Sequence, residues 1–134
     1  MNKSIRKLVT GVLLCTSLVT VGITAYATTG DFYFNLSKGV KGVSAVEIKD
    51  DDEQTAYINV TSSNLGNSSN DDMYLRVRTQ GGQQATGLVR AIKGPYTTSY
   101  SVLDGVAGRG YKLYAEYNDE SKHGAGMCQG RWTP

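Results

Sequence analysis

The feature that most restricts the fold is a strict two-residue alternation. In "MYLRVR", Met73, Leu75 and Val77 alternate with Tyr74, Arg76 and Arg78. In "YKLYAEY", Tyr111, Leu113, Ala115 and Tyr117 alternate with Lys112, Tyr114 and Glu116. A period of two sends successive side chains to opposite faces of an extended strand, whereas a helix would need a period of 3.6. Phe32, Phe34 and Leu36 repeat the pattern, as do Ala56, Ile58 and Val60, with Tyr33 and Tyr57 on the opposite phase. Val46 and Ile48 share one side of a shorter run, residues 88–93 and 96–103 form weaker ones, and 127–132 closes the chain. The gaps, among them "KDDDEQ", "SSNLGNSSNDD", "KGP", "DGVAGRG" and "NDESKHGAG", are rich in Gly, Asn, Asp and Ser. Such residues accept a positive φ or hydrogen-bond their own backbone, and so punctuate strands with turns. Alternation with polar outer positions implies antiparallel strands, each with one wet face. The pattern therefore predicts an all-β chain, an antiparallel β-sandwich of seven or eight short strands, with a small β-barrel as the alternative.

The first 27 residues differ in kind. Lys3, Arg6 and Lys7 precede an apolar run over 8–23, and Ala25-Tyr26-Ala27 supplies the small-x-small pattern of a cleavage site. This is the layout of a secretory signal peptide. The run is short for a membrane span and carries Ser and Thr, so stable membrane insertion after cleavage is not expected. Cys15 follows Leu13 and Leu14 inside the run and reads as an ordinary apolar residue, not as a lipidation site. Residues 1–27 are thus expected to be a leader and 28–134 one secreted β-domain. The leader holds three of the 14 basic residues and none of the 12 acidic ones, so the remainder carries 11 against 12. No Lys/Arg-rich run survives, which argues against a nucleic-acid partner and against a polybasic membrane patch.

The candidate sites are few. Cys128 is the one cysteine outside the leader, and His123, the only histidine, stands five residues before it. A thiolate nucleophile needs an oriented base, but His123 lies in a polar loop and no nucleophile signature surrounds Cys128. In "MCQGRW" the phase places Cys128, Gly130 and Trp132 together on the inner face, with Gly130 leaving room for the indole. The thiol is expected to be buried, unpaired and apart from His123; were it exposed, an intermolecular disulfide would be the leading reading. Asp50, Asp51, Asp52, Glu53, Asp71 and Asp72 offer hard oxygen ligands, yet their spacing is not that of a calcium loop. Glu47 and Glu116 are read as solvated strand residues, not as a glycosidase pair. The triplets at Asn35, Asn59 and Asn67 are chance matches to an acceptor motif in a chain rich in Asn, Ser and Thr. No cofactor and no metal site is expected.

Tyrosine is the most suggestive surface feature. Tyr33, Tyr57 and Tyr74 occupy outer phases, and with Arg76 and Arg78 they are expected to form one recognition surface, since amphipathic rings and arginines are favoured in such surfaces. The opening "DFYFNLS", the run "YKLYAEYN" and the closing "GRWTP" resemble a family of small secreted Gram-positive bacterial proteins, uncharacterised and of β-sandwich type. In size, secretion and Tyr/Gly/Asn richness the chain is also distantly similar to bacteriocins of the lactococcin 972 type, which act on cell-wall assembly. The expectation is a non-enzymatic protein, secreted or held at the cell surface, that binds a protein or a cell-wall glycan through a Tyr/Arg-bearing sheet face. A bacteriocin-like antimicrobial and a small extracellular hydrolase are the alternatives.

Overall fold

A computed structural model describes residues 28–66, 73–101, 103–118 and 124–134. The predicted leader with Cys15, the triplet at Asn67, Asp71, Asp72 and His123 lie outside the described residues. The described chain forms β1 (Gly30–Ser37), β2 (Lys41–Ile48), β3 (Thr55–Ser63), β4 (Met73–Thr79), β5 (Val89–Arg90), β6 (Gly94–Ser99), β7 (Gly110–Tyr117) and β8 (Ala125–Thr133). Two four-stranded antiparallel sheets result, in the order β1-β8-β3-β6 and β2-β7-β4-β5. The sandwich is therefore the observed form, and the barrel alternative falls because neither sheet closes on the other. Among the described residues no helix is long and apolar enough to cross a membrane.

The alternation does what its period requires. Phe32, Phe34 and Leu36 on β1, Ile58 and Val60 on β3, Met73, Leu75 and Val77 on β4, and Tyr111, Leu113, Ala115 and Tyr117 on β7 are all buried. They share one core with Cys128 and Trp132 from β8. Burying each large aliphatic side chain contributes about 1.5–3 kcal/mol, so this inner lining carries most of the favourable free energy of folding. The chain changes sheet between β1 and β2 through a tight turn. There Val40 N–H donates to the Ser37 carbonyl at 3.0 Å, and Gly39 takes a φ of 73°. Glycine reaches that left-handed conformation without a Cβ penalty.

Two strands depart from expectation. The run over 88–93 contributes only Val89 and Arg90, because Leu88 is exposed and Ala91 instead donates its N–H to the Met73 carbonyl. Pro95, read from the sequence as part of a turn, is the second residue of β6. That strand is a sheet edge, where a residue without an N–H is tolerated. Gly130 is needed for another reason than the one its phase suggests. A Cβ there would collide with the Asn59 carbonyl and approach the Phe32 ring, not the indole of Trp132. The collision arises where the β3–β8 register shifts between Val60 and Ser62, drawing the two backbones together.

Candidate functional site

The five residues expected to make one surface are divided between two. Tyr33 on β1 and Tyr57 on β3 project from the outer face of the first sheet, 59% and 45% exposed. Tyr74, Arg76 and Arg78 all lie on β4 and project from the outer face of the second. Period-two phase separates inside from outside, but each sheet of a sandwich has its own outside. The single Tyr/Arg surface is thus corrected to two chemically different faces.

The outer face of the first sheet is polar and close to neutral. A shallow groove of about 490 Å³ crosses it, lined by Tyr57, Asn59, Pro95, Thr97, Arg131 and Thr133 among others. Its charge is largely cancelled, since Arg131 Nε lies 3.2 Å from Asp31 Oδ1. The Tyr57 hydroxyl donates to Glu53 Oε1 at 2.6 Å. That bond, together with some desolvation, raises the phenol's pKa above 10.0 and keeps the proton on the phenol, directed at the carboxylate.

The outer face of the second sheet is cationic. The β4–β7 register sets Arg76 opposite Tyr114, Arg78 opposite Lys112 and Tyr74 opposite Glu116. The β4–β5 register adds Arg90 beside Tyr74, and the β2–β7 register adds Lys41 beside Glu116 and Val43 beside Tyr114. Directly opposed residues in an antiparallel pair point to the same side. Five cations therefore share this face with one carboxylate, and Glu116 is itself 3.6 Å from Lys41 Nζ. Sequence reasoning found Tyr74, Arg76 and Arg78 but missed Lys112, Tyr114, Arg90 and Lys41. Lys112 and Tyr114 were on the correct phase of their own strand; only the pairing of β4 with β7 brings them alongside.

The two arginines are held. Arg76 Nη1 donates to Gln84 Oε1 at 2.8 Å, and Arg78 Nη1 donates to the Gly82 carbonyl at 3.0 Å. The Arg78 guanidinium also lies over the Tyr114 ring, 5.0 Å from its centroid, an attraction between a cation and the ring's negative face. The Nε donors of both arginines are buried and meet no acceptor among the described residues. Beside them a groove of about 440 Å³ is lined by Tyr74, Arg76, Leu88 and Glu116, with Gly39 and Asn118 at its end.

The other candidates resolve into structure. Cys128 is fully buried and free, and its Sγ lies 3.4 Å from Met73 Sδ. Burial pushes the thiol up to about 12, so thiolate is scarce at neutral pH. The same burial closes the route to an intermolecular disulfide in the folded chain. Trp132 is buried on the same phase, as the alternation requires. The acidic run is used locally. Asp51 pairs with the buried Lys49 at 2.9 Å, Asp52 Oδ1 accepts the Ala107 N–H, and Glu53 accepts from Tyr57. Among the described residues no three His, Cys, Asp or Glu side chains gather as metal ligands. Glu47 is half-buried on β2 and so only partly solvated. It sits opposite inward-facing Tyr111 and fills the space that a Cβ on Gly30 would need. Glu116 is five residues further along β7 and on the other face, roughly 17 Å away at strand rise. A glycosidase pair needs about 5–10 Å, so these two carboxylates do not form one.

Comparison of the chain with known protein families finds no match, and comparison with curated proteins finds none either.

Proposed function

We propose that this chain is a secreted, non-enzymatic binding protein that meets a cell-envelope or extracellular partner through the outer face of its second sheet. One observation carries the reading: Arg76, Arg78, Arg90, Lys112 and Lys41 converge on one face together with Tyr74 and Tyr114. The remainder of the chain after the leader has 11 basic and 12 acidic residues, so five cations against one carboxylate is a local concentration and not a reflection of composition. Half-buried arginines and tyrosines give a rigid, amphipathic surface that loses little side-chain entropy on contact. The burial of Cys128, which also pushes its thiol up to about 12, disfavours a cysteine nucleophile there.

The test compares two faces of one molecule. Protein secreted by cells expressing the full chain is incubated with the washed envelopes of those cells, and the bound fraction is measured. Arg76→Glu/Arg78→Glu is expected to lower that fraction roughly tenfold or more, because reversal introduces like-charge repulsion as well as removing attraction. Tyr33→Ala/Tyr57→Ala is expected to leave it unchanged. The opposite ranking would transfer the function to the neutral groove beside Tyr57. Equal retention by all variants would remove both faces from consideration.

A further inference from the structure

Resting on that reading, we infer that the ligand of the second sheet's outer face is a linear phosphodiester polymer, bound along the Arg76–Arg78 row. The sign of the charge comes first. A face with five cations and one already paired carboxylate selects an anion. The arrangement of the cations then selects a linear one. Arg76 and Arg78 are alternate residues of β4, so their Cα atoms stand about 6.7 Å apart at strand rise. Arg90 adds a charge at the level of Tyr74, one step before Arg76, and Lys112 stands beside Arg78 on β7 and widens the row there. Positive charge thus recurs along the strand direction instead of converging on one point. A compact anion would be served by a single convergent pocket; a chain with one phosphate per sugar or polyol unit is served by a row.

The donors suit an anion with paired oxygens, and the groove beside them suits one whose charges are separated by uncharged units. Both central residues are arginine, whose planar fork takes two oxygens of one phosphate or carboxylate group, whereas lysine acts as a point charge. Each fork is pre-set. Gln84 holds one Nη1 and the Gly82 carbonyl the other, and the Tyr114 ring backs Arg78. Of the five N–H donors of each guanidinium, these contacts use one on Nη1 and burial withholds Nε, so a ligand would meet the Nη edge. The groove beside Arg76, with Tyr74 and Leu88 in its wall, gives the uncharged part of each repeating unit an apolar surface to lie on. A lipid bilayer is the less favoured anion. Its binding draws on flexible lysines and inserted apolar side chains. Here the arginines are pinned to the protein, and Glu116 stands among them.

The experiment measures binding of the protein, secreted from the full chain, to four probes by calorimetry or polarisation. The probes are a poly(glycerol phosphate) oligomer, poly-glutamate of equal charge, an uncharged glucan and vesicles containing anionic phospholipid. Binding to the phosphate polymer is expected, and it weakens about twentyfold from about 50 to about 200 mM salt if some three phosphates are neutralised. Lys112→Glu and Arg76→Glu/Arg78→Glu are each expected to reduce it several-fold or more. Arg76→Lys/Arg78→Lys keeps the charge but loses the bidentate fork, so it should weaken the phosphate polymer several-fold. Retained near-ultraviolet ellipticity and an unshifted melting temperature certify the folding of each variant, and Lys112→Glu serves if the double reversal does not fold. No binding to the phosphate polymer would overturn the inference, as would equal binding to poly-glutamate, preference for vesicles or indifference to Arg→Lys. If envelope retention depends on Arg76 and Arg78 while the phosphate polymer fails to bind, the face stands and only the ligand is wrong. If retention is indifferent to both arginines, the face itself is wrong.

Discussion

Lys49 offers the sharpest test of the fold's energetics. It is 1% exposed, and its ammonium donates to Asp51 Oδ1 at 2.9 Å and to the Pro134 carbonyl at 3.1 Å, under the Tyr100 ring at 5.2 Å. Asp51→Asn leaves the ammonium buried without its counter-charge. Breaking a fully buried pair costs about 3–5 kcal/mol. The Asp51 side chain is 52% exposed, so water reaches the vacated position and the expected cost is smaller, about 2 kcal/mol. Lys49→Met keeps the length of the side chain but removes the charge. Asp51 then returns to water and the Pro134 carbonyl loses one donor, for a net cost of about 1 kcal/mol. The double variant should cost about the same as Lys49→Met alone, since no buried cation remains to be neutralised. The pair is therefore non-additive by about 2 kcal/mol. Urea unfolding followed by the fluorescence of the buried Trp132 measures all three variants. Thermal melts should place Asp51→Asn roughly 10 °C below the wild type. The sign with pH also follows. Lys49, and then the Glu53 N–H, hold the Asp51 carboxyl below its ordinary 3.8. Its contribution is present above about pH 4 and is lost as pH falls through the lower folded value. The wild type should thus lose its advantage over Asp51→Asn on acidification. Additive effects, or Lys49→Met costing more than Asp51→Asn, would refute the reasoning.

Three further outcomes follow. Cys128 in the native protein should react with a thiol reagent only through unfolding, at a rate roughly three or more orders of magnitude below that in denaturant; fast native labelling would contradict its burial. Gly130→Ala should destabilise the sandwich by about 3 kcal/mol or more, read by urea unfolding, because the added methyl meets the backbone of Asn59 and not a movable side chain; a neutral result would mean β3 and β8 do not approach as described. Gln84→Ala should leave stability within about 0.5 kcal/mol but weaken partner binding modestly, by loosening the Arg76 fork; an unchanged affinity in a binding titration would show that the fork is not pre-set by Gln84.

Burial was the most legible property in the sequence, because a two-residue period is a local signal. It placed Phe32, Phe34, Leu36, Leu75, Val77, Leu113, Cys128 and Trp132 on the inside, where they are found. Assignment to a sheet was not legible, because it depends on long-range pairing. Alternation puts Tyr33 and Tyr74 on equivalent outer phases, yet β1 pairs with β8 and β4 pairs with β7, so the two rings point away from opposite sheets. The same cause hid Lys112 and Tyr114 from the candidate surface. Lys49 was hidden differently. In "EIKDDDE" it reads as one more charged turn residue, and its burial comes from Tyr100 and Pro134, far along the chain. Gly130 was marked as a small residue beside Trp132, but the neighbour that requires it, the Asn59 carbonyl, follows from a register shift that no local pattern announces.

On the function proposed above, the second sheet's cationic face, and not the first sheet's neutral one, meets the ligand. Amide chemical-shift mapping during titration with the poly(glycerol phosphate) oligomer tests it most directly. The shifting amides should cluster on β4, β7 and the Gly82–Gln84 turn, around Arg76, Arg78, Lys112 and Tyr114, while those of β1, β8, β3 and β6 stay still. Shifts centred on Tyr57, Asn59, Thr97 and Arg131 would contradict it and assign the ligand to the opposite face.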